Sequence, residues 1–187
     1  MQKKLIPGTT LEYTETHGMF KMFLPLIKAT DGLTLSQVCT ITGLEGSTIQ
    51  NWVKRKFVAN PVNKKYHERQ LARILLISSL RESMKLETIG ELMSLINGNA
   101  NDTSDDIISE EQLYDYFCDV IGQADTSTPH PHEVPELVES VIKGYSGPDE
   151  KAKERLKSAL SVMVYAYTAS EYKLKAEEEL GRMKKEF

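Results

Sequence analysis

The chain has 187 residues, of which 40% are hydrophobic and 27% are charged, and its formal net charge is −4. This composition excludes a disordered chain, and the length allows one compact domain or two small ones. Cys39 and Cys118 are too few and too far apart for a disulfide framework, so we expect a cytoplasmic protein. We expect no signal peptide, and the most apolar early stretch, 19–27, is too short to span a bilayer.

Residues 1–31 are predicted to form an N-terminal segment. Pro7 and Gly8 indicate a turn, and the apolar residues around Pro25 indicate a short amphipathic helix. We expect this segment to pack against the domain that follows it or against a partner subunit.

Two short helices joined by a glycine turn are predicted between residues 33 and 56. Thr34 has the position of an N-cap, and Gln37 three residues later completes a capping box. Val38 and Ile41 give the first helix an apolar face, and Gly43 can take the left-handed conformation of a tight turn.

The second of these helices has an apolar stripe and a polar, basic face. Ile49, Trp52 and Val53 form the stripe at helical spacing. The opposite face carries a hydroxyl, two amides and two cations: Ser47, Gln50, Asn51, Lys54 and Arg55. Such a pair of helices is typical of a helix-turn-helix. Gln50 could read a base, or it could instead complete a capping box that begins at Ser47.

The residues after the second helix predict a small β-ribbon and two more helices. Residues 57–66 contain a short apolar run, a Pro/Asn turn and Tyr66, with Lys64 and Lys65 at the expected tip. Residues 67–83 and 85–96 have helical spacing of apolar side chains. His67, at the boundary, is expected to be a cap or a phosphate contact.

Charge is distributed unevenly along the chain. Residues 47–85 contain nine Lys/Arg and two Glu, a net charge of +7, which leaves −11 for the remainder. Residues 86–142 contain thirteen Asp/Glu and no Lys or Arg. A basic block joined to an acidic block predicts a head that binds a polyanion and a body that repels it.

The order of these elements resembles the N-terminal domain of the MerR (mercury-resistance regulator) family, in which a winged helix-turn-helix precedes two further helices. The resemblance covers about 65 of the 187 residues, and several elements agree in order and spacing. The matching residues are Val38, Gly43-Leu44, Thr48-Ile49, Trp52, Tyr66, Leu71 and 84–89. Gln50 and Asn51 stand where that family usually has an arginine and an aromatic residue. The run 51–55 with Pro61 and Lys65-Tyr66 looks closer to an uncharacterised bacterial family with the same kind of head.

The second half is predicted to be an acidic helical domain. Residues 98–108 are polar and are expected to be a linker. The sequence from Asn97 onward does not fit a calcium-binding loop, because Asp102 stands at the position that requires glycine and Ile108 at the position that requires the closing glutamate. Ser109 caps a helix whose apolar stripe includes Leu113 and Phe117. Cys118 lies beside this stripe among acidic residues, which indicates a buried thiol rather than a redox sensor.

No residues form a catalytic or metal-binding pattern. His130 and His132 stand without a cysteine or third histidine nearby, and we interpret them as loop residues. The chain has no phosphate-binding glycine loop and no nucleophile elbow. We therefore expect neither an enzyme nor a cofactor.

The last helix begins near Pro148 and is predicted to reach Lys184. The residues close to heptad a and d positions are Leu156, Leu160, Met163, Tyr167 and Leu174. Proteins of the resembled family dimerise through a long helix after the head, which implies a homodimer through the C-terminal helices here. Either this helix or 109–122 could form that interface.

These observations predict a mainly α protein in four parts: the N-terminal segment 1–31, a winged helix-turn-helix at 32–97, the linker 98–108, and a dimerisation or effector domain at 109–187. We expect a sequence-specific transcriptional regulator that places helix 47–56 in the major groove of double-stranded DNA. The expected DNA contacts are Ser47, Thr48, Gln50, Asn51, Lys54, Arg55, Asn63, Lys64, Lys65, Tyr66 and Arg69.

Two alternatives remain open. The first is a helical protein–protein adaptor with a helix-turn-helix that does not read DNA. The second is an excisionase-like accessory protein of a mobile element, although the large acidic half is unusual for that class. An effector could bind the helical half, but the sequence names none.

Overall fold

The computed structural model describes residues 4–13, 18–124 and 128–186. This part of the chain is mainly helical, which confirms the predicted fold class at that level. Its α-helices are α1 (Leu24–Ala29), α2 (Leu35–Thr42), α3 (Gly46–Lys54), α4 (Glu68–Leu80), α5 (Leu86–Asn97), α6 (Glu110–Gln123), α7 (Val134–Val141) and α8 (Glu150–Glu186). Two antiparallel pairs of short strands accompany them: β1 (Lys4–Leu5) with β2 (Glu12–Tyr13), and β3 (Leu33–Thr34) with β4 (Lys65–Tyr66).

The N-terminal segment packs against both α2 and α6. The Thr10 N–H donates to the Ile41 carbonyl at 2.9 Å, close to the end of α2. The Tyr114 hydroxyl of α6 donates to the Pro7 carbonyl at 2.7 Å, and the Phe20 N–H donates to the Asp115 carboxylate at 2.7 Å. The segment therefore joins the first helices to the helical half.

The predicted pair α2 and α3 is present, with its local signals in place. The Thr34 hydroxyl accepts from the Gln37 N–H, and the Gln37 side chain accepts from the Thr34 N–H at 2.8 Å. Gly43 ends α2 with a φ of 70°. The capping alternative for Gln50 is wrong, because Glu45 is the N-cap of α3 and Ser47 already lies in its first turn.

The predicted ribbon has a different partner from the one expected. Lys65 and Tyr66 pair with Leu33 and Thr34, and not with the residues just after α3. The hairpin is limited to Val62 and Lys65, whose N–H and carbonyl groups bond to each other at 2.8 and 2.9 Å. Its tip is therefore Asn63 and Lys64, both with positive φ, whereas Lys65 belongs to the strand.

Residues 98–108, expected as a linker, form an ordered loop on the surface of α4 and α5. Ile107 and Ile108 are buried in the hydrophobic core, and the Ile107 N–H donates to the Ile96 carbonyl. α4 packs against α6, so one hydrophobic cluster runs through both halves of the chain.

α6 lies at the centre of the helical half. Ser109 caps it by accepting from the Gln112 N–H, as predicted. The sequence also suggested that the Gln112 side chain would complete a capping box, but this side chain donates to the Tyr116 hydroxyl. Tyr114, Phe117 and Cys118 are buried. Because burial raises the pKa of the Cys118 thiol well above its ordinary value, this cysteine has the character of a buried, unreactive thiol.

α7 and the first half of α8 cover α6. Leu156, Leu160 and Met163, predicted as a heptad seam, are fully buried against the protein's own core. Tyr167 continues the same face, with its ring edge-on to Phe117 at 5.7 Å. From Tyr172 onward α8 leaves the core, and most of its residues are exposed. Leu174, predicted to continue the seam, is 47% exposed and lies beyond the part of α8 that packs on the core.

Candidate nucleic-acid interface

The outer face of α3 is polar and uncovered. Ser47, Gln50, Asn51 and Lys54 are exposed on it, and Thr48 is half-buried beside them. Within the described residues, the side chains of Gln50 and Asn51 make no hydrogen bond, so both amides are free to bind a partner.

Two aromatic residues of this region belong to the core. Trp52, in the stripe opposite the polar face, is 4% exposed, and Ile49 beside it is fully buried. Tyr66 is 3% exposed because β4 pairs with β3 and turns its ring inward. Tyr66 was expected to contact DNA, and its burial removes it from that set.

The C-terminal end of α3 is in contact with α5. The Arg55 guanidinium lies 2.5 Å from the Glu87 carboxylate and also stacks over the Phe57 ring, 4.9 Å from its centroid. The hydrogen bond from Arg55 holds the pKa of the Glu87 carboxyl below its ordinary value. Phe57 lies so close to Gly90 that a Cβ there would come within 2.5 Å of the ring.

The hairpin tip offers one exposed cation. Asn63 and Lys64 are exposed, and both have the left-handed backbone of a two-residue turn. Lys65 is half-buried, and its ammonium donates to the Thr30 carbonyl at the end of α1. Lys64 rather than Lys65 is therefore the lysine of this hairpin that is available to a phosphate.

Arg69 is directed at the 98–108 loop. Its guanidinium donates to the Asp102 carbonyl at 2.9 Å and lies 3.3 Å from the Asp106 carboxylate. Burial raises the pKa of the Asp106 carboxyl, and the charge of Arg69 opposes that shift. His67, at the start of the same helix, is the N-cap residue, and its N–H donates to Gln70 Oε1 at 3.1 Å.

A buried ion pair joins α4 to α6. Arg73 Nη1 lies 3.2 Å from Glu110 Oε1, and the two side chains are 6% and 1% exposed. Asn97, fully buried, lies beside Glu110. Burial raises the pKa of the Glu110 carboxyl, and the charge of Arg73 opposes it.

The acidic half therefore neutralises much of the basic block. Three of the four arginines between residues 47 and 85 pair with carboxylates of the acidic block, and the fourth pairs within the basic block: Arg55 with Glu87, Arg69 with Asp106, Arg73 with Glu110, and Arg81 with Glu82. The exposed lysines of the block are Lys54, Lys56, Lys64 and Lys85. Net charge along the sequence overstated the positive surface, because the carboxylates that pair with Arg55, Arg69 and Arg73 lie 32 to 37 positions away, outside the basic block.

A groove of about 740 Å³ lies between the end of α3 and α5. Apolar side chains make up most of it, including Phe57, Ile89 and Met93, and Leu95 at its edge is 66% exposed. Arg55 and Glu87 also line it. No sequence pattern had indicated this groove, because its walls come from segments about 35 residues apart.

Metal ligands do not cluster in the described part of the chain, where no group of three or more His, Cys, Asp or Glu could hold an ion. The rings of His130 and His132 stack with centroids 5.7 Å apart in the loop before α7. No described helix is long and apolar enough to cross a membrane.

Comparison with known proteins finds a family of unknown function. Residues 28–117 match the family described as a domain of unknown function (DUF1836). This range includes α2, α3, the hairpin, α4, α5 and the start of α6. The resemblance to the MerR family is therefore wrong: the detected match is to DUF1836, and neither a MerR nor any helix-turn-helix family is found. The expected likeness to an uncharacterised family agrees with this match.

One relative also lacks an assigned function. The chain is 30% identical over 112 residues to the uncharacterised protein YkrK of Bacillus subtilis (strain 168). The match covers 56% of this chain and 48% of YkrK, so it spans about half the length of that relative. No solved structure matches the chain.

Proposed function

We propose that the chain is a DNA-binding regulator in which α2 and α3 act as a helix-turn-helix and the Asn63-Lys64 hairpin acts as a small wing. The uncovered polar face of α3 is the observation that carries this proposal. Gln50 and Asn51 would read bases in the major groove, and adenine is the natural bidentate partner of either amide. Ser47 and Thr48 lie at the N-terminal end of the same helix, where hydroxyls can contact phosphates.

Lysines supply the phosphate contacts in this proposal. Lys54 and Lys56 are exposed at the end of α3, and Lys64 is exposed at the hairpin tip. Arg55 and Arg69 would contribute only after exchanging their carboxylate partners, Glu87 and Asp106, for phosphates. The binding surface is therefore smaller than the basic block of the sequence suggests.

The first test is titration of the full chain with random-sequence duplex DNA at several salt concentrations. Trp52 is the only tryptophan and lies in α3, so its fluorescence reports on this helix directly. Binding that weakens steeply with salt supports the proposal, since it indicates displaced counterions. Absence of DNA binding even at low salt would contradict the proposal.

Removing two of these lysines should reduce the salt dependence of binding. We expect Lys54→Ala with Lys64→Ala to lower the slope of log K against log salt by about 2, roughly one unit for each lost phosphate contact. The matched control, Lys143→Ala with Lys151→Ala, removes two exposed lysines far along the chain and should leave the slope unchanged. Equal slopes for the two double variants would contradict the assignment.

Releasing Arg55 should strengthen DNA binding. Glu87→Gln removes the carboxylate that holds this guanidinium, so we expect an affinity about threefold higher at low salt, a modest gain typical of an exposed charge. Glu91→Gln removes one exposed charge from the same helix without touching Arg55 and should have a smaller effect. If the two variants bind equally, Arg55 is not part of the surface.

The proposed regulator is a cytoplasmic homodimer. Of the two helices predicted to form the interface, α6 is enclosed by α4, α7 and α8, which leaves α8. A two-fold dimer would favour an operator with two related half-sites. An effector, if one exists, remains unassigned.

A protein–protein adaptor is the second candidate function. The ion pairing of all four arginines in the basic block favours it, as does the apolar groove beside Leu95. In this case α3 would have only a structural role. Stable folding combined with no DNA binding at low salt would favour the adaptor.

A further inference from the structure

The C-terminal part of α8 extends away from the body. Val164 and Thr168 face the core, and Glu171 is the last half-buried residue before the exposed run that begins at Tyr172. The remaining part, 172–186, would be about 22 Å long at 1.5 Å per residue. A helix of this length is only marginally stable alone in water, so contact with another surface would stabilise it.

An apolar stripe runs along the face of α8 opposite the core. Its members are Tyr165, Ala169, Tyr172, Ala176, Leu180 and Met183, and all six are exposed. At 100° per residue their directions cluster about 180° from those of the core-facing residues. Tyr172, Leu180 and Met183 are each 50% exposed. The stripe therefore spans both the packed and the projecting part of the helix.

The spacing of this stripe is symmetric about Ala176. Tyr172 and Leu180 lie four residues before and after it, and Ala169 and Met183 lie seven residues before and after it. A two-fold axis through Ala176 would therefore place Tyr172 against Leu180 of a second copy, and Ala169 against Met183. The small Ala176 side chains would meet at the axis and allow the helices to approach closely.

The flanking charges select the antiparallel direction. Lys173 and Glu177 lie on one side of the stripe, and Lys175 and Glu179 lie on the other. In an antiparallel pair each side meets the same side of the second copy, so Lys173 faces Glu177 and Lys175 faces Glu179. In a parallel pair opposite sides meet, which brings Lys173 to Lys175 and Glu177 to Glu179.

Three of these charges also form exposed ion pairs within the chain: Lys173 and Glu177 with each other, and Glu179 with Arg182. Lys173 lies 4.0 Å from Glu177 of its own helix and 3.8 Å from Glu82, with more than half of its side chain exposed. Exposed pairs of this kind contribute little to stability and exchange partners readily. They leave the charges available to a second helix.

We propose that residues 169–183 pair with the same residues of a second copy as an antiparallel helix pair with its two-fold axis at Ala176. The two bodies then lie at opposite ends of the pair. This assigns a direction, a register and a set of contacts to the homodimer. It does not depend on DNA binding by α3, because the stripe and α3 are separate surfaces.

Cysteine cross-linking tests the direction and the register. In a full-length Cys39→Ser background, Ala169→Cys and Met183→Cys are purified separately, mixed, and oxidised. We expect covalent dimers from the mixture and from neither variant alone, because identical positions would be about 21 Å apart along the axis and a disulfide needs Cα atoms within about 7 Å. Cross-linking of each variant with itself would indicate a parallel pair and overturn the proposal, as would no cross-link in the mixture.

Charge reversal gives an independent test in solution. The dimer dissociation constant is measured by sedimentation without DNA. We expect the double variant Lys173→Glu with Lys175→Glu to raise it about tenfold or more, because like charges then repel at the four facing pairs. Adding Glu177→Lys and Glu179→Lys should restore the dimer. The control, Lys184→Glu with Lys185→Glu, makes the same change in net charge beyond the paired carboxylates. A monomeric wild-type chain, or equal effects of the two double variants, would overturn the proposal whatever the DNA titration shows.

Discussion

Replacing Arg73 with methionine is expected to lower the free energy of unfolding by about 3–5 kcal/mol, because it leaves the Glu110 carboxylate buried without its partner. Arg73 and Glu110 are 6% and 1% exposed and lie 3.2 Å apart. Methionine preserves much of the aliphatic packing of the arginine stem, so loss of charge compensation dominates the effect. Urea unfolding followed by circular dichroism and by Trp52 fluorescence measures the change.

A double variant separates the ion pair from the packing around it. Arg73→Met combined with Glu110→Leu removes both charges and should recover most of the lost stability, since apolar residues often replace a buried ion pair without cost. Arg81→Met is the surface control. Arg81 and Glu82 are 40% and 48% exposed, so this change should stay within about 0.5 kcal/mol. An Arg73→Met variant no less stable than the control would contradict the assigned role.

The Arg73–Glu110 ion pair also shows that the basic and acidic blocks are joined to each other in the folded protein. Arg73 belongs to the basic block by sequence, yet it joins α4 to α6 and pairs with the acidic half. Arg69 and Arg55 do the same with Asp106 and Glu87. The asymmetry of charge therefore serves partly to hold the protein together. Only the exposed lysines remain for a polyanion.

Local features of the fold could be predicted from the sequence. The Thr34 cap, the Gly43 turn and the Ser109 cap depend on residues within four positions of one another, and all three are present. Side-chain type and spacing carry this information because caps and turns are formed by nearby backbone groups. The polar outer face of α3 was predicted for the same reason.

Non-local contacts were the ones that the sequence did not reveal. β4 pairs with β3, about 30 residues earlier, and this pairing buries Tyr66 and ties Lys65 to Thr30. The apolar groove likewise needs the end of α3 and α5 to meet. Short strands carry little periodicity, so their partners cannot be selected from pattern alone.

The last helix shows a different limit. α8 carries two apolar stripes, one through Leu156 and Leu160 and another through Tyr172 and Leu180. Both have spacings of three and four, so periodicity alone does not say which one faces the core. The structure places the first against α6, which leaves the second exposed. The predicted heptad seam is therefore part of the protein's own core as far as Met163.

Replacing Gly8 with alanine is expected to destabilise the N-terminal segment by about 2–4 kcal/mol, through left-handed backbone strain combined with overpacking. Gly8 has a φ of +75°, and a Cβ there would lie 2.3 Å from the Leu75 carbonyl oxygen and 2.8 Å from Ser79 Oγ. The Leu75 carbonyl belongs to α4 and already accepts the Ser79 hydroxyl at 2.8 Å, so it has little room to move. The strain must be relieved by displacement of the turn.

That displacement should be local before it becomes global. The turn is held by the Tyr114 hydroxyl on the Pro7 carbonyl and by Thr10 on α2, so strain at Gly8 acts directly on these contacts. Amide hydrogen exchange should show loss of protection in residues 6–11 at lower denaturant than in α4 and α6. Gly144→Ala is the matched control, because a Cβ there meets no atom within 4 Å and its φ is not positive. If residues 6–11 have the same amide hydrogen-exchange protection in the Gly8→Ala and Gly144→Ala variants, the N-terminal turn is not packed against α4, and the joining role assigned to this segment is wrong.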